Sequence, residues 1–223
     1  MALRQENKER TREAIADTAW ALFADRGFDA VTVADVARAA HVSQATVFNY
    51  FRTKEDLFFF RLEAFGEHLV AAVVERPARE SVLDAVRRVL LQPGGLLAQV
   101  DAGDQQARDR LHTVHRVINE SSALQARETI SLTRTADLLA AHLLAESGRP
   151  NNLGARVDAQ VVAHALLAIQ RALVGIVRDI VLAGAVPPSF SAQLAEIGAD
   201  AFTLLADGIE HYGSQGAQTQ AST

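Results

Sequence analysis

Apolar residues recur along this chain at spacings of three and four, and no segment alternates as a half-buried strand does. In 8–26, Ile15, Ala19, Leu22 and Phe23 fall on one helical face, and Gly27 supplies the stop. A short helix is expected over about 33–40, with Val33, Val36, Ala37 and Ala40 on one side. Thr32 precedes it and Asp35 stands three residues on, the spacing of a carboxylate capping box. Another helix starts after Ser43 and runs to about Phe51. The Arg52-Thr53 link then leads into a fourth, with Glu55 and Asp56 in its first turn, where the helix dipole favours negative charge. Its pattern continues to the Arg76-Pro77 break.

Further breaks at Pro93-Gly94-Gly95, Gly103, Gly148-Arg149-Pro150, Gly184 and Pro187-Pro188 separate helical segments near 79–91, 104–119, 121–146, 156–183 and 189–212. The expectation is an all-α protein of about nine helices. It has a three-helix head within 8–68, whose fourth helix leads into a body over 69–212, and a frayed polar tail over 213–223. The segment 156–183 is apolar nearly all round, and such a helix needs cover on every side. Either it and 189–212 are core helices of a monomer, or Val161, Leu173, Leu194, Ile197, Ala201 and Leu204 form a self-complementary face of a two-fold dimer.

The tight link His41-Val42 between two short helices invites comparison with a helix-turn-helix, whose second helix enters the major groove. Val42 would seat between the two helices, while Val47 and Phe51, four apart, would face the core. Gln44, Ala45, Phe48 and Asn49 then point outward, flanked by Thr46 and Tyr50. Gln and Asn form bidentate contacts with adenine edges, and small or apolar side chains meet thymine methyls. Thr32, Ser43, Thr46, Tyr50 and Lys54 offer hydroxyl, N–H or ammonium groups to phosphates, contacts that set register rather than sequence. Taken singly, a Thr-x-x-Asp cap or Lys54 is more often an ordinary part of a helix; together these residues form a constellation.

The run TVADVARAAHVSQATVFNYFRTKEDL, with Ala21-Leu22-Phe23 and Gly27-Phe28 before it, resembles the DNA-reading signature of the TetR family of bacterial transcriptional regulators. The resemblance covers roughly residues 8–68; the rest is similar only in being all-helical. It implies an Ω-shaped homodimer with two reading heads, an interface from the last two long helices, and a small-molecule cavity in each body. It also implies that Thr32, Ser43, Tyr50 and Lys54 hold phosphates, with Gln44, Ala45, Thr46, Phe48 and Asn49 near bases. Three positions depart from the family pattern: His41 and Ala45 replace the usual glycines, and Phe48 lacks the usual aromatic hydroxyl. The implied function is a ligand-responsive regulator of operator DNA, most simply a repressor. An activator of the same fold, or a helical ligand-binding module that ignores DNA, stays open.

Charge alone does not decide between these. The chain carries 22 basic and 27 acidic residues, but residues 1–54 hold eight and seven, leaving 14 and 20 for the remainder. No cysteine occurs, so disulfides and thiolate chemistry are excluded. No apolar run of membrane-spanning length and no secretory leader is visible, so a soluble cytoplasmic protein is the default. Phosphate-loop, dinucleotide, zinc-protease and serine-hydrolase motifs are missing, and neither an enzyme nor a cofactor is expected. His112, His115, Arg116, Arg134, Gln170 and Arg171 sit in otherwise apolar stretches, either as internal pairs and exposed groups or as polar anchors of a ligand pocket. Phe58, Phe59 and Phe60, where head joins body, are either plain core or a lever between the two.

Overall fold

The computed structural model describes residues 2–60, 64–92, 94–148 and 152–208. These residues form eleven helices and no strand. The head comprises α1 (Ala2–Arg26), α2 (Val33–Ala39), α3 (Gln44–Tyr50) and α4 (Lys54–Phe59). The body comprises α5 (Ala64–Val74), α6 (Val82–Leu91), α7 (Gly95–Asp101), α8 (Gln105–Asn119), α9 (Ser122–Glu146), α10 (Leu153–Leu182) and α11 (Phe190–Asp207). Two helices exceed the expected nine. The seven-residue α7 is too short to show a helical period, and the long fourth segment is α4 and α5, whose junction at 61–63 lies outside the described residues. The expected tail, 213–223, also lies outside them. No helix among the described residues is long and apolar enough to cross a membrane.

Local chemistry sets the boundaries. Thr32 and Asp35 close a full capping box on α2, and Thr53 and Asp56 close one on α4. At the end of α2, Val42 N–H donates to Ala37 O (2.9 Å) and His41 N–H to Arg38 O (3.3 Å). This is a Schellman pair, which needs a left-handed residue at its pivot. Gly103 and Gly184 serve as pivots after α7 and α10; after α2 the pivot is His41, at φ +55°. The helix-turn-helix link therefore keeps its geometry and tolerates strain of about 1–3 kcal/mol.

Three clusters of buried side chains fill the interior. The head cluster gathers Ile15, Ala19, Phe23, Phe28, Val36, Val47, Phe51 and Phe58, together with Val117, Ile118 and Leu124 of α8 and α9. The second joins α5, α6, α9, α10 and α11 around Leu69, Val86, Leu139, Leu166 and Phe202. The third joins α7, α8, α10 and the start of α11 around Val100, Leu111, Val177 and Phe190. Ser189, also left-handed, makes no side-chain cap for α11. Asp101 of α7 does so instead, accepting from Phe190 N–H and Ser191 N–H at 2.9 Å each and from the Ser191 hydroxyl. That hydroxyl and those two N–H groups hold the Asp101 carboxyl below its usual range.

The expected apolar face divides. Val161 (61% exposed), Ile197 (46%) and Leu204 (41%) lie on the outside of α10 and α11. Leu173 is buried instead, and Leu194 and Ala201 are half-buried against the body clusters. At about 100° per residue, Leu173 sits roughly 120° around α10 from Val161, while Ala201 and Leu194 turn progressively inward from Ile197. The cover that α10 needs is thus supplied on one side only: Leu153, Val157, Val162 and Ile176 are also exposed.

Close approach between α11 and α6 depends on Gly198. A Cβ there would lie 2.3 Å from Leu91 Cδ2 and 3.4 Å from Leu173 Cδ1. Gly198→Ala should cost about 1 kcal/mol, near the low end for overpacking, because Leu91 can turn aside. In a urea titration, Leu91→Ala should recover part of that loss. Identical midpoints for Gly198→Ala and the parent would show that the approach is not tight.

Candidate nucleic-acid interface

The seven residues of α3 rise about 10 Å, so the whole helix fits within a major groove about 12 Å wide. Val47 (1% exposed) and Phe51 (3%) anchor one side in the head cluster. The opposite side presents Gln44, Ala45, Phe48 and Asn49, all exposed, with Thr46 and Tyr50 half-exposed at its edges. Phe48, 50% exposed, is a large apolar ring with no intramolecular reason to face water. The exposed side carries no charge of either sign. Its register is pinned at the start, where Ser43 Oγ accepts from Thr46 N–H (3.0 Å) and lies 2.8 Å from Thr46 Oγ1.

The groups expected at phosphates are placed less uniformly. Thr32 is exposed, but its hydroxyl already donates to Asp35 Oδ2 (2.6 Å). Asp35 also receives Arg38 at 3.1 Å, and the Thr32 bonds foremost hold its carboxyl below the usual range. Lys54 differs most from expectation. Its ammonium donates to the carbonyls of Phe28 (2.9 Å) and Val31 (3.0 Å) and lies 4.1 Å from the centre of the Phe28 ring. Two of its three N–H groups are therefore used to hold the α1–α2 turn, leaving one for a phosphate.

Behind α3 the head continues into the body. Trp20, Phe23, Phe28, Phe58 and Phe59 form a chain of aromatic contacts with ring centroids 5.0–6.3 Å apart. Arg116 donates to Ala24 O (2.8 Å), Ser121 to Asp29 (2.9 Å) and Arg127 to Asp56 (3.1 Å), three polar ties between body and head.

A cavity of about 510 Å³ opens among the end of α4 and helices α5 to α11. Phe59, Leu111, Val114, Ile118, Leu173 and Val177 make it mainly apolar, and His115, Glu128, Ser131, Thr135 and Gln170 interrupt that lining. Of the six residues expected at a ligand, His115 and Gln170 line it and four do not. His112, Arg134 and Arg171 are exposed, and Arg116 is occupied by Ala24 and Glu120. In these cases helical phase sends a long polar side chain to solvent or to the head. Burial, then the positive charge of Arg178, then His112, lower the His115 pKa to about 4, so its imidazole is neutral at pH 7. Sequence reasoning passed over Glu128 and Arg178, whose ion pair, with Arg178 Nη2 2.7 Å from both carboxylate oxygens, stands at the cavity edge. Only the pairing of two charges on different helices, invisible in one sequence, distinguishes them from surface residues.

Comparison with known proteins agrees with this geometry. Residues 15–59 match the model of the tetR family of bacterial regulatory proteins. The HTH-type transcriptional regulator TcmR of Streptomyces glaucescens is 36% identical over 84 residues, 38% of this chain and 37% of its own length. The chain is similar in fold to NalD of Pseudomonas aeruginosa (TM-score 0.52, 16% identity, 86% of this chain and 97% of that one). It is also similar to a putative TetR-family regulator from Syntrophomonas wolfei (TM-score 0.54, 20% identity, 90% and 97%). Residues 15–59 thus match the tetR family model, and the described residues take an all-helical fold similar to that of these two solved structures.

Lys54→Met keeps the stem but strands two carbonyls, so it should lower the unfolding free energy by about 1–3 kcal/mol. Urea titration followed by Trp20 fluorescence measures this. An unchanged midpoint would mean that water serves those carbonyls equally well.

Proposed function

We propose that the chain is a homodimeric, DNA-binding transcription regulator, a repressor released from its operator by a small molecule. The observation that carries the reading is the exposed, uncharged face of Gln44, Ala45, Phe48 and Asn49 on a helix whose other face is locked into the core. Gln44 and Asn49 would read base edges, with Ala45 and Phe48 against apolar base surface. Ser43, Thr46, Tyr50, Thr32 and the remaining N–H of Lys54 would meet adjoining backbone. Repression rather than activation is favoured by NalD, described as a secondary repressor of a multidrug efflux pump. The protein would work in the cytoplasm, where its DNA is.

The dimer would form on the exposed apolar side of α10 and α11, through Val161, Ile197 and Leu204 with Val157 beside them. It must place the two α3 helices about 34–36 Å apart to reach successive major grooves. Release would run through Phe59 and Ile118, which belong to the head cluster and also line the cavity. A ligand shifts this equilibrium only if it binds the two conformations unequally.

Selection of binding sites from random DNA tests the reading. Gln44→Ala and Asn49→Ala should each relax preference at one or two base pairs, by about 1–3 kcal/mol for each bidentate pair of hydrogen bonds removed. Identical selected sequences for parent and variants would remove both side chains from base reading. Ile197→Asp or Leu204→Asp should yield monomers in sedimentation at micromolar concentration; a variant that stays dimeric would move the interface elsewhere.

A further inference from the structure

The cavity holds two polar atoms that the fold leaves without a partner. His115 Nδ1 and Gln170 Oε1 are both shut off from solvent and make no hydrogen bond among the described residues, although both residues line the cavity. His115 is only 8% exposed. Leaving such groups unpaired in an apolar setting is costly, and native interiors avoid it. Thr135 and Glu128 differ in this respect, whereas Arg178 Nε, beside Glu128 but outside the cavity wall, is likewise buried without a partner among the described residues. Thr135 donates to Ser131 O at 3.0 Å, and Glu128 takes both its bonds from Arg178. His115 and Gln170 are thus the polar positions that a bound molecule would complete.

The chemistry of these atoms narrows the molecule. Gln170 Oε1 can only accept, so it needs a donor from the ligand. The Nδ1 of a neutral imidazole donates in one tautomer and accepts in the other. A hydroxyl group suits either atom, since it donates through its hydrogen and accepts through its oxygen. A bare carbonyl or ether cannot serve Gln170. Net charge is disfavoured as well. Glu128 and Arg178 already neutralise each other at the cavity edge, and a ligand charge would have no free counter-ion. His115, which resists protonation, does not supply one. The remaining surface is apolar, and a volume of about 510 Å³ admits a drug-sized ligand.

We propose that this cavity binds an uncharged, largely apolar molecule bearing at least one hydroxyl group, which pairs with His115 Nδ1 and Gln170 Oε1. The proposal rests on the effector reading of the cavity given above, and it adds the chemical class of the effector.

Equilibrium dialysis of the full chain tests it with three probes of one shape: 2-naphthol, 2-methoxynaphthalene, which lacks the donor, and 2-naphthoate, which is charged. The naphthol should bind about tenfold more tightly than the ether, and the anion more weakly than either. Gln170→Leu, at a half-buried position, should erase the preference for the naphthol over the ether while leaving binding of the ether in place. His115→Leu should act in the same direction. Equal binding of naphthol and ether, tighter binding of the anion, no saturable binding of any probe, or a preference that survives Gln170→Leu would each overturn the proposal. DNA binding is measured separately on the same protein. A hydroxyl preference in a chain that 2-naphthol fails to release from its selected DNA upholds the ligand class and counts against the release mechanism. A missing preference in a chain that binds DNA normally sinks the ligand class alone.

Discussion

Helix α3 is held by a core that the head does not own alone. Val117, Ile118 and Leu124 come from the body, yet they pack into the same buried cluster as Phe23, Val36, Val47 and Phe58 of the head. A bundle of three helices, two of them only seven residues long, has little apolar surface of its own to bury. Borrowing side chains from α8 and α9 closes that deficit and fixes the direction in which α3 points. The ties from Arg116, Ser121 and Arg127 add direction to this non-directional packing.

A shared core has a consequence for control. Phe59 of the head and Ile118 of the body are at once members of the shared buried cluster and wall residues of the cavity. Close-packed interiors transmit displacement rather than absorb it, so a molecule that moves either side chain moves the support of α3. No separate hinge is required for the body to influence the head. The strain stored at His41 and the two hydrogen bonds that Lys54 donates to the α1–α2 turn work in the same sense, because they hold the short helices in one arrangement.

How much of this was legible in the sequence depends on the range of the interaction. Local signals carried the head: the Thr32–Asp35 box, the Ser43 cap and the four-residue spacing of Val47 and Phe51 place every residue of α3 on its observed side. The family resemblance of the same segment agrees with the match over residues 15–59. Longer-range facts were not legible. Lys54 reads as a surface cation at the start of a helix, and only the fold brings it to carbonyls 23 and 26 residues away. Leu173 reads as part of an outer stripe, but a helix of 30 residues wraps its apolar positions around several faces, and only its neighbours decide which are covered. In the cavity, His115 and Gln170 stood out as polar residues in apolar stretches, whereas the Glu128–Arg178 pair needed two helices to be brought together.

The claim that head and body share one interior can be tested through Trp20, the single tryptophan, which lies in the head 5.4 Å from Phe58. Its fluorescence reports the head, while far-ultraviolet circular dichroism reports helices throughout the chain. If the core is common, the two signals follow one transition in a urea titration, with the same midpoint and slope. A fluorescence transition completed at lower urea, with most helical signal intact, would show a head that melts by itself and would contradict the account.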